Sequence, residues 1–384
     1  MILPHLPRTY KNYVSCLSVF PLCLLSVIVS DALAEEFSIG DGAPAQIYSV
    51  EDGVSNTLQL EGSVGVGGSW ALAAWYSQNF NVKGNKVESN VSRSVTVAVP
   101  VFGGYMDGGG RSAESNKVSL ENSLGTTTVE GQIIGGYVSG TGIENNYNNN
   151  NSSSNTVSLK NVEVHFYVAG GYVNNIKDNV FVDVDGDVTG NRIDVTGARI
   201  GEYVAGGFLA GSGKVESNIV KLTDAIVQSS VTGGFVQQVE DKNNSGDSLE
   251  NKVYLINTTV NSAGVAGGYN LAENRGSASQ NEVNITANSS STSDFNINAY
   301  VVGGLIGTVG NSERIGDTNN NQVTILNSRN EGNIVIDGYV AGGAGQGFGK
   351  INSKNNKVFL TAGSEENGAL GGGRGSIIIT SKKF

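Results

Sequence analysis

Two short phrases of alternating apolar and polar residues take turns along this chain, with a period of about 34 residues. The first is Asn-x-Val-x-Leu. It reads Asn116-Lys117-Val118-Ser119-Leu120 and Asn155-Thr156-Val157-Ser158-Leu159, and recurs from Asn191, Asn218, Asn251, Asn281, Asn321 and Asn356. The second is Val-x-Gly-Gly-aromatic. It ends on Tyr105, Tyr137, Tyr172, Phe208, Phe235 and Tyr269, then decays to Leu305 and Ala344. A spacing of two places Val and Leu of the first phrase on one face of a strand and the x residues on the other. In the second phrase the same alternation puts Val, the first Gly and the aromatic on one face, as for Val204, Gly206 and Phe208. β-Branched and aromatic residues favour strands, and Gly-Gly marks a corner or a close backbone approach.

A fixed period in this range predicts an array in which each unit buries its apolar face against its neighbours. The predicted fold is all-β: a parallel β-solenoid of about ten rungs. Parallel stacking sets like residues above like. The phrase-leading Asn116, Asn155, Asn191, Asn218, Asn251, Asn281, Asn321 and Asn356 then form one ladder, with amides bonded from rung to rung. Tyr105, Tyr137, Tyr172, Phe208, Phe235 and Tyr269 form another. The polar stretches Ser139–Ser154, Glu240–Glu250, Ala272–Gln280 and Thr308–Asn320 fall at one point of the unit and should project from one face. They read either as solvated turns or as a binding face.

The termini modify this picture. Arg8 and Lys11 precede an apolar stretch, Val14–Ser30, which ends in Ala32-Leu33-Ala34. This is the form of an export signal spanning residues 1–34, with cleavage between Ala34 and Glu35; an uncleaved membrane anchor is the other reading. Residues 35–90 fit the repeat less well and contain both tryptophans, Trp70 and Trp75. They are expected to form an atypical N-terminal cap, or alternatively a carbohydrate-stacking platform. Residues 91–384 are expected to form the repeat solenoid. Cys16 and Cys23 both lie in the signal, so the mature chain has no thiol for a disulfide, for catalysis or for a zinc–thiolate site. The mature chain has no further apolar run long enough to span a membrane as a helix. A formal net charge of −11 disfavours nucleic acid and anionic membranes as partners.

Candidate chemistry is sparse. His165 is the one histidine beyond the signal, in the alternating run Glu163–Tyr167. Hydrolase and phosphate-cradling motifs are missing, so no cofactor is expected and the chain reads as non-enzymatic. Asp183-Val184-Asp185-Gly186-Asp187 is the one candidate cation site. Alternate carboxylates before a Gly turn can converge on Ca²⁺, but the same run describes a strand with valines inside and aspartates outside.

A signal followed by tandem Asn-x-Val-x-Leu and Val-x-Gly-Gly-Tyr units resembles the passenger region of bacterial autotransporters, over roughly Asn56 to the C-terminus. The resemblance implies a right-handed parallel β-helix displayed on a Gram-negative surface and acting in adhesion or autoaggregation; an extracellular or periplasmic location is the other expectation. Its partners would be host-surface glycans or proteins, or the same protein on another cell. The family also has a C-terminal transmembrane β-barrel, whose alternation Ser376–Phe384 lacks, so the chain reads as a truncated reading frame, a fragment, or a passenger without its own anchor. A polysaccharide-active β-helix enzyme and an inactive truncated product are the alternatives.

Overall fold

The computed structural model describes residues 36–47, 55–78, 80–108, 111–139, 150–177, 180–181, 183–237, 239, 245–271, 275–288, 293–307, 314–329, 331–345, 349–362, 364–366, 369–371 and 376–380. The expected export signal and the Ala34–Glu35 junction lie outside them. The described residues form strands and turns without a helix, stacked in parallel as a β-helix.

One coil shows how the phrases close on themselves. After Asn155 comes the strand Thr156–Lys160, then a turn at Asn161 (φ 54°) and the short strand Val162–Val164. A corner at 165–167 leads into Val168–Asn174, which contains the Gly-Gly pair. An insertion follows, then the short strand Val188–Thr189, and the next coil begins at Asn191. The residue before each ladder asparagine is left-handed: Ser115, Ser154, Gly190, Ser217, Glu250, Gln280, Asn320 and Asn355 all have positive φ. This backbone kink, which costs a non-glycine residue about 1 kcal/mol, aims the asparagine inward.

Stacking produces three long faces. The asparagine sheet has eleven parallel strands, from Glu36–Ile39 to Lys357–Ala362. Its register sets Val157 on Ile193 and Leu159 on Val195, then Ile193 on Val220 and Val195 on Leu222. A second sheet carries the glycine strands, and a third has seven short strands beside the insertions. The parallel stacking extends into residues 36–90: Glu36–Ile39 pairs with Thr57–Leu60, and Thr57–Gln59 with Lys86–Glu88. Trp75 is buried there and packs in the core, so it offers no exposed platform.

The interior is divided in two. Val and Leu of the asparagine strands pack against the leading Val of the glycine strands in one core; Leu58, Val118, Leu159, Val204 and Val265 are members. A second core lies between the third sheet and the far end of the glycine strands, with Met106, Val138, Val173, Leu209 and Val236. The asparagine ladder separates them. Asn116, Asn155, Asn191, Asn218, Asn251, Asn281 and Asn321 are buried. The Asn218 side-chain oxygen accepts the backbone N–H of Asn191 at 3.0 Å and its amide N–H at 2.9 Å. The Asn218 amide in turn donates to Asn251 Oδ1 at 3.0 Å and to the Val188 carbonyl at 2.9 Å. The same pattern links Asn116 to Asn155, Asn155 to Asn191, Asn251 to Asn281, Asn281 to Asn321 and Asn321 to Asn356. Each central amide is thereby fully bonded, the condition for holding polar groups between apolar cores.

The Gly-Gly pairs leave room for this ladder. A Cβ on Gly207 would lie 2.7 Å from Asn218 Nδ2, and one on Gly206 would lie 2.4 Å from the carbonyl oxygen of Gly233 in the next coil. Neither glycine has positive φ, so space rather than backbone conformation demands glycine here.

The face assignment of the second phrase needs correction. Val204 points into the first core, but Phe208 clusters with Ala205 on the other side of the strand, and Leu209 turns into the second core. The backbone bends between the two glycines and shifts the alternation by one residue. The ladder pairing skips the first glycine at the same point, from Ala205–Thr232 to Gly207–Gly234.

Candidate functional site

The bend turns the aromatics to the outer side of the glycine strands, where they stack in a row. Ring centroids lie 4.9 Å apart for Tyr105–Tyr137, 4.2 Å for Tyr172–Phe208 and 5.2 Å for Phe235–Tyr269. Tyr137–Tyr172 is tilted at 5.4 Å and Phe208–Phe235 is edge-on at 5.3 Å. Tyr167 and Tyr203, from the preceding corner, form a flanking stack at 4.6 Å. Ring faces turned on one another are not open to a ligand, and the row acts as a clamp between coils.

Burial raises the phenol pKa of Tyr105, Tyr137, Tyr167, Tyr172 and Tyr203. Tyrosines in the unfolded chain ionise near pH ~10. Between that pH and their higher folded pKa values, the folded state keeps protons that the unfolded state has lost. Their stabilisation is therefore complete below pH ~10 and declines as pH rises above it. A urea titration series from neutral to strongly alkaline pH should show the midpoint falling steeply, with tyrosinate absorbance appearing in step with unfolding. Ordinary tyrosinate titration with an unchanged β-type circular dichroism spectrum would contradict this.

Asp183, Asp185 and Asp187 stand where the insertion rejoins the third sheet, with Val184 and Val188 buried. The Asp183 carboxylate accepts the Ser212 hydroxyl at 3.0 Å, and Asp187 Oδ1 accepts the backbone N–H of Lys214 at 2.9 Å. Among the described residues, no three acidic, histidine or cysteine side chains are grouped to hold a metal ion. The exposed His165 lies at a corner. Asp185 lines a groove of about 550 Å³ along the third sheet, with Lys214, Asp247, Arg275, Asp317 and Asn352. Two of these carboxylates brace the coils: Asp247 Oδ1 accepts the Ser277 N–H at 2.8 Å, and Asp317 Oδ1 accepts the Asn352 amide at 3.0 Å.

The outer face of the asparagine sheet is the other open surface, built from the x positions of the first phrase. Most of its side chains are polar, and some pair across coils: Lys117 with Glu88 at 3.4 Å and Lys252 with Glu282 at 3.7 Å. Such exposed pairs contribute little stability, about 0–1 kcal/mol each. One region departs from the pattern. Arg192, Ile219, Lys221, Tyr254, Ile256, Asn284 and Thr286 line a shallow groove of about 320 Å³. The register runs Asp194, Lys221, Tyr254, Asn284 across successive coils. The sequence signal was present but passed over: Tyr254 occupies an x position that elsewhere is usually polar.

Asn85 is a ladder member that sequence reasoning missed. It accepts the Asn56 backbone N–H at 3.1 Å and donates its amide to Asn116 Oδ1 at 3.0 Å. Its phrase, Asn85-Lys86-Val87-Glu88-Ser89, lacks the final Leu and so escaped the pattern.

Comparison of the chain with protein-family models, curated proteins and solved structures found no match. Among the described residues, no helix is long and apolar enough to cross a membrane.

Proposed function

We propose that this chain is an exported, non-enzymatic β-solenoid of the autotransporter-passenger kind, acting in adhesion or cell–cell aggregation at or beyond the bacterial surface. The observation that supports this best is the asparagine sheet: eleven parallel strands presenting one continuous outer face along the stack. Binding groups repeated on such a rod gain strength through multivalency. The proposed partners are host-surface glycans or proteins, or a second cell bearing the same protein. The export signal and the resemblance in the repeats supply the cellular context.

The test is to express the full reading frame, in its natural genomic setting, in a non-adherent Gram-negative host. Settling and attachment to epithelial cells are then compared with those of an empty-vector strain. The reading expects increased attachment or aggregation, and blocking by antibody against the solenoid. Surface exposure without either effect would sink it.

The groove on the third sheet favours a second reading, a polysaccharide-active β-helix, because it gathers carboxylates with Lys214 and Arg275. Chain cleavage of an acidic polysaccharide that is abolished by Asp185→Ala would establish that activity.

A further inference from the structure

The groove on the outer face of the asparagine sheet combines features that do not occur together in the other surfaces described above. Its lining holds two cations, Arg192 and Lys221, and no carboxylate, in a chain of net charge −11. Among the described residues, Lys221 is in no ion pair, whereas Arg192 contacts Asp194 at 3.1 Å and keeps further N–H donors free. Tyr254 is partly exposed and, among the described residues, stacks on no other ring, so its faces are open, unlike those of the Tyr172–Phe208 stack. Ile219 and Ile256 give the floor an apolar border, and Asn284 supplies an amide on the next coil.

An aromatic face with an apolar border suits the C–H face of a sugar ring. A cation one strand away suits an acidic substituent on that ring. Neighbouring strands are ~4.8 Å apart, about the length of a pyranose ring, so Lys221, Tyr254 and Asn284 would meet consecutive parts of a chain laid along the rod. A flat protein partner would have little use for a single open ring with two cations on the coils that precede it.

We propose that this groove is a binding subsite for acidic polysaccharide, with a sugar ring stacked on Tyr254 and its carboxylate or sulfate paired with Lys221 and Arg192. The inference rests on the adhesive reading and names the ligand class of that surface. Binding involves no covalent step.

Purified full-length protein would be titrated with polygalacturonate, heparin, neutral dextran and poly-L-glutamate. Polygalacturonate or heparin should bind and dextran should not; polygalacturonate binding shows carboxylate recognition, and heparin binding without it shows sulfate recognition. Tyr254→Ala should weaken binding by about tenfold, while Tyr254→Phe, which keeps the ring, should stay within about twofold. Lys221→Gln should weaken binding and flatten its salt dependence. Lys117→Gln, on the same face but in an earlier coil, should change nothing. Circular dichroism and urea midpoints matching the parent would show that the variants fold.

Equal binding of poly-L-glutamate by parent and Tyr254→Ala would overturn the proposal in favour of a merely charged, protein-type surface. Cell attachment without saccharide binding would overturn the groove and leave the adhesive reading standing. Saccharide binding that depends on Tyr254, without attachment, would support the groove and end the adhesive reading.

Discussion

Asn218→Ala is expected to destabilise the solenoid by about 3–5 kcal/mol, because it orphans several buried groups at once. The Asn191 backbone N–H and amide N–H lose their acceptor, and the Val188 carbonyl loses a donor. No water reaches these groups directly, since Asn191 and Asn218 are fully buried. Native-state hydrogen exchange should show the loss concentrated in the coils around Asn191–Asn251, since a stacked repeat transmits stability mainly between neighbours. A shift within about 0.5 kcal/mol, typical of an exposed polar site, would mean that the ladder is not the determinant claimed.

Asn218→Asp sharpens the test. The new carboxylate keeps the oxygen that accepts from Asn191, but its second oxygen faces Asn251 Oδ1 and the Val188 carbonyl, which formerly received N–H groups. Burial and these facing oxygens raise its folded pKa above the ordinary value of ~3.9. The variant is therefore most penalised at neutral pH. It should recover stability as pH falls through the folded pKa, when a proton restores a donor. A gap between variant and parent urea midpoints that stays constant from pH 7 to about 4 would refute this.

Gly206→Ala should be comparably damaging, at about 3 kcal/mol or more, from the addition of one methyl group. Its Cβ would lie 2.4 Å from the Gly233 carbonyl oxygen, 3.1 Å from Asn218 Cβ and 3.2 Å from Val220 Cγ2. The first of these is backbone held in the sheet, so relief requires separating two coils. Gly65→Ala is the control: a Cβ there has open space and no positive φ, and the substitution should be neutral or mildly stabilising. Urea midpoints of the two variants should diverge clearly; similar values would mean that glycine at the corner reflects something other than close packing.

The damage expected at Gly206 and at Asn218 has one origin, and it shows which parts of the fold could be read in advance. Asn-x-Val-x-Leu is a local pattern, and its period of two assigns Val157 and Leu159 to the interior whatever surrounds them. Tandem recurrence then implies parallel stacking and the asparagine and aromatic rows. Asn85 is hidden in the sequence because its phrase ends in Ser89 instead of Leu, while the ladder requires only the amide and the kink at Gly84 before it.

The sequence by itself thus determined the strand class, the repeat, the inward residues of the asparagine sheet and the like-on-like stacking. All of these follow from backbone alternation within a few residues and its repetition. Only the tertiary structure decided that Gly206 and Gly207 exist to admit Asn218, that Phe208 faces outward beside Ala205, and that Arg192, Lys221 and Tyr254 meet in one groove. These depend on contacts across a coil or between coils, from 12 residues apart for Gly206 and Asn218 to 33 for Lys221 and Tyr254, brought together by coil closure and stacking. A period-two pattern carries no record of how tightly a coil closes or where its backbone bends.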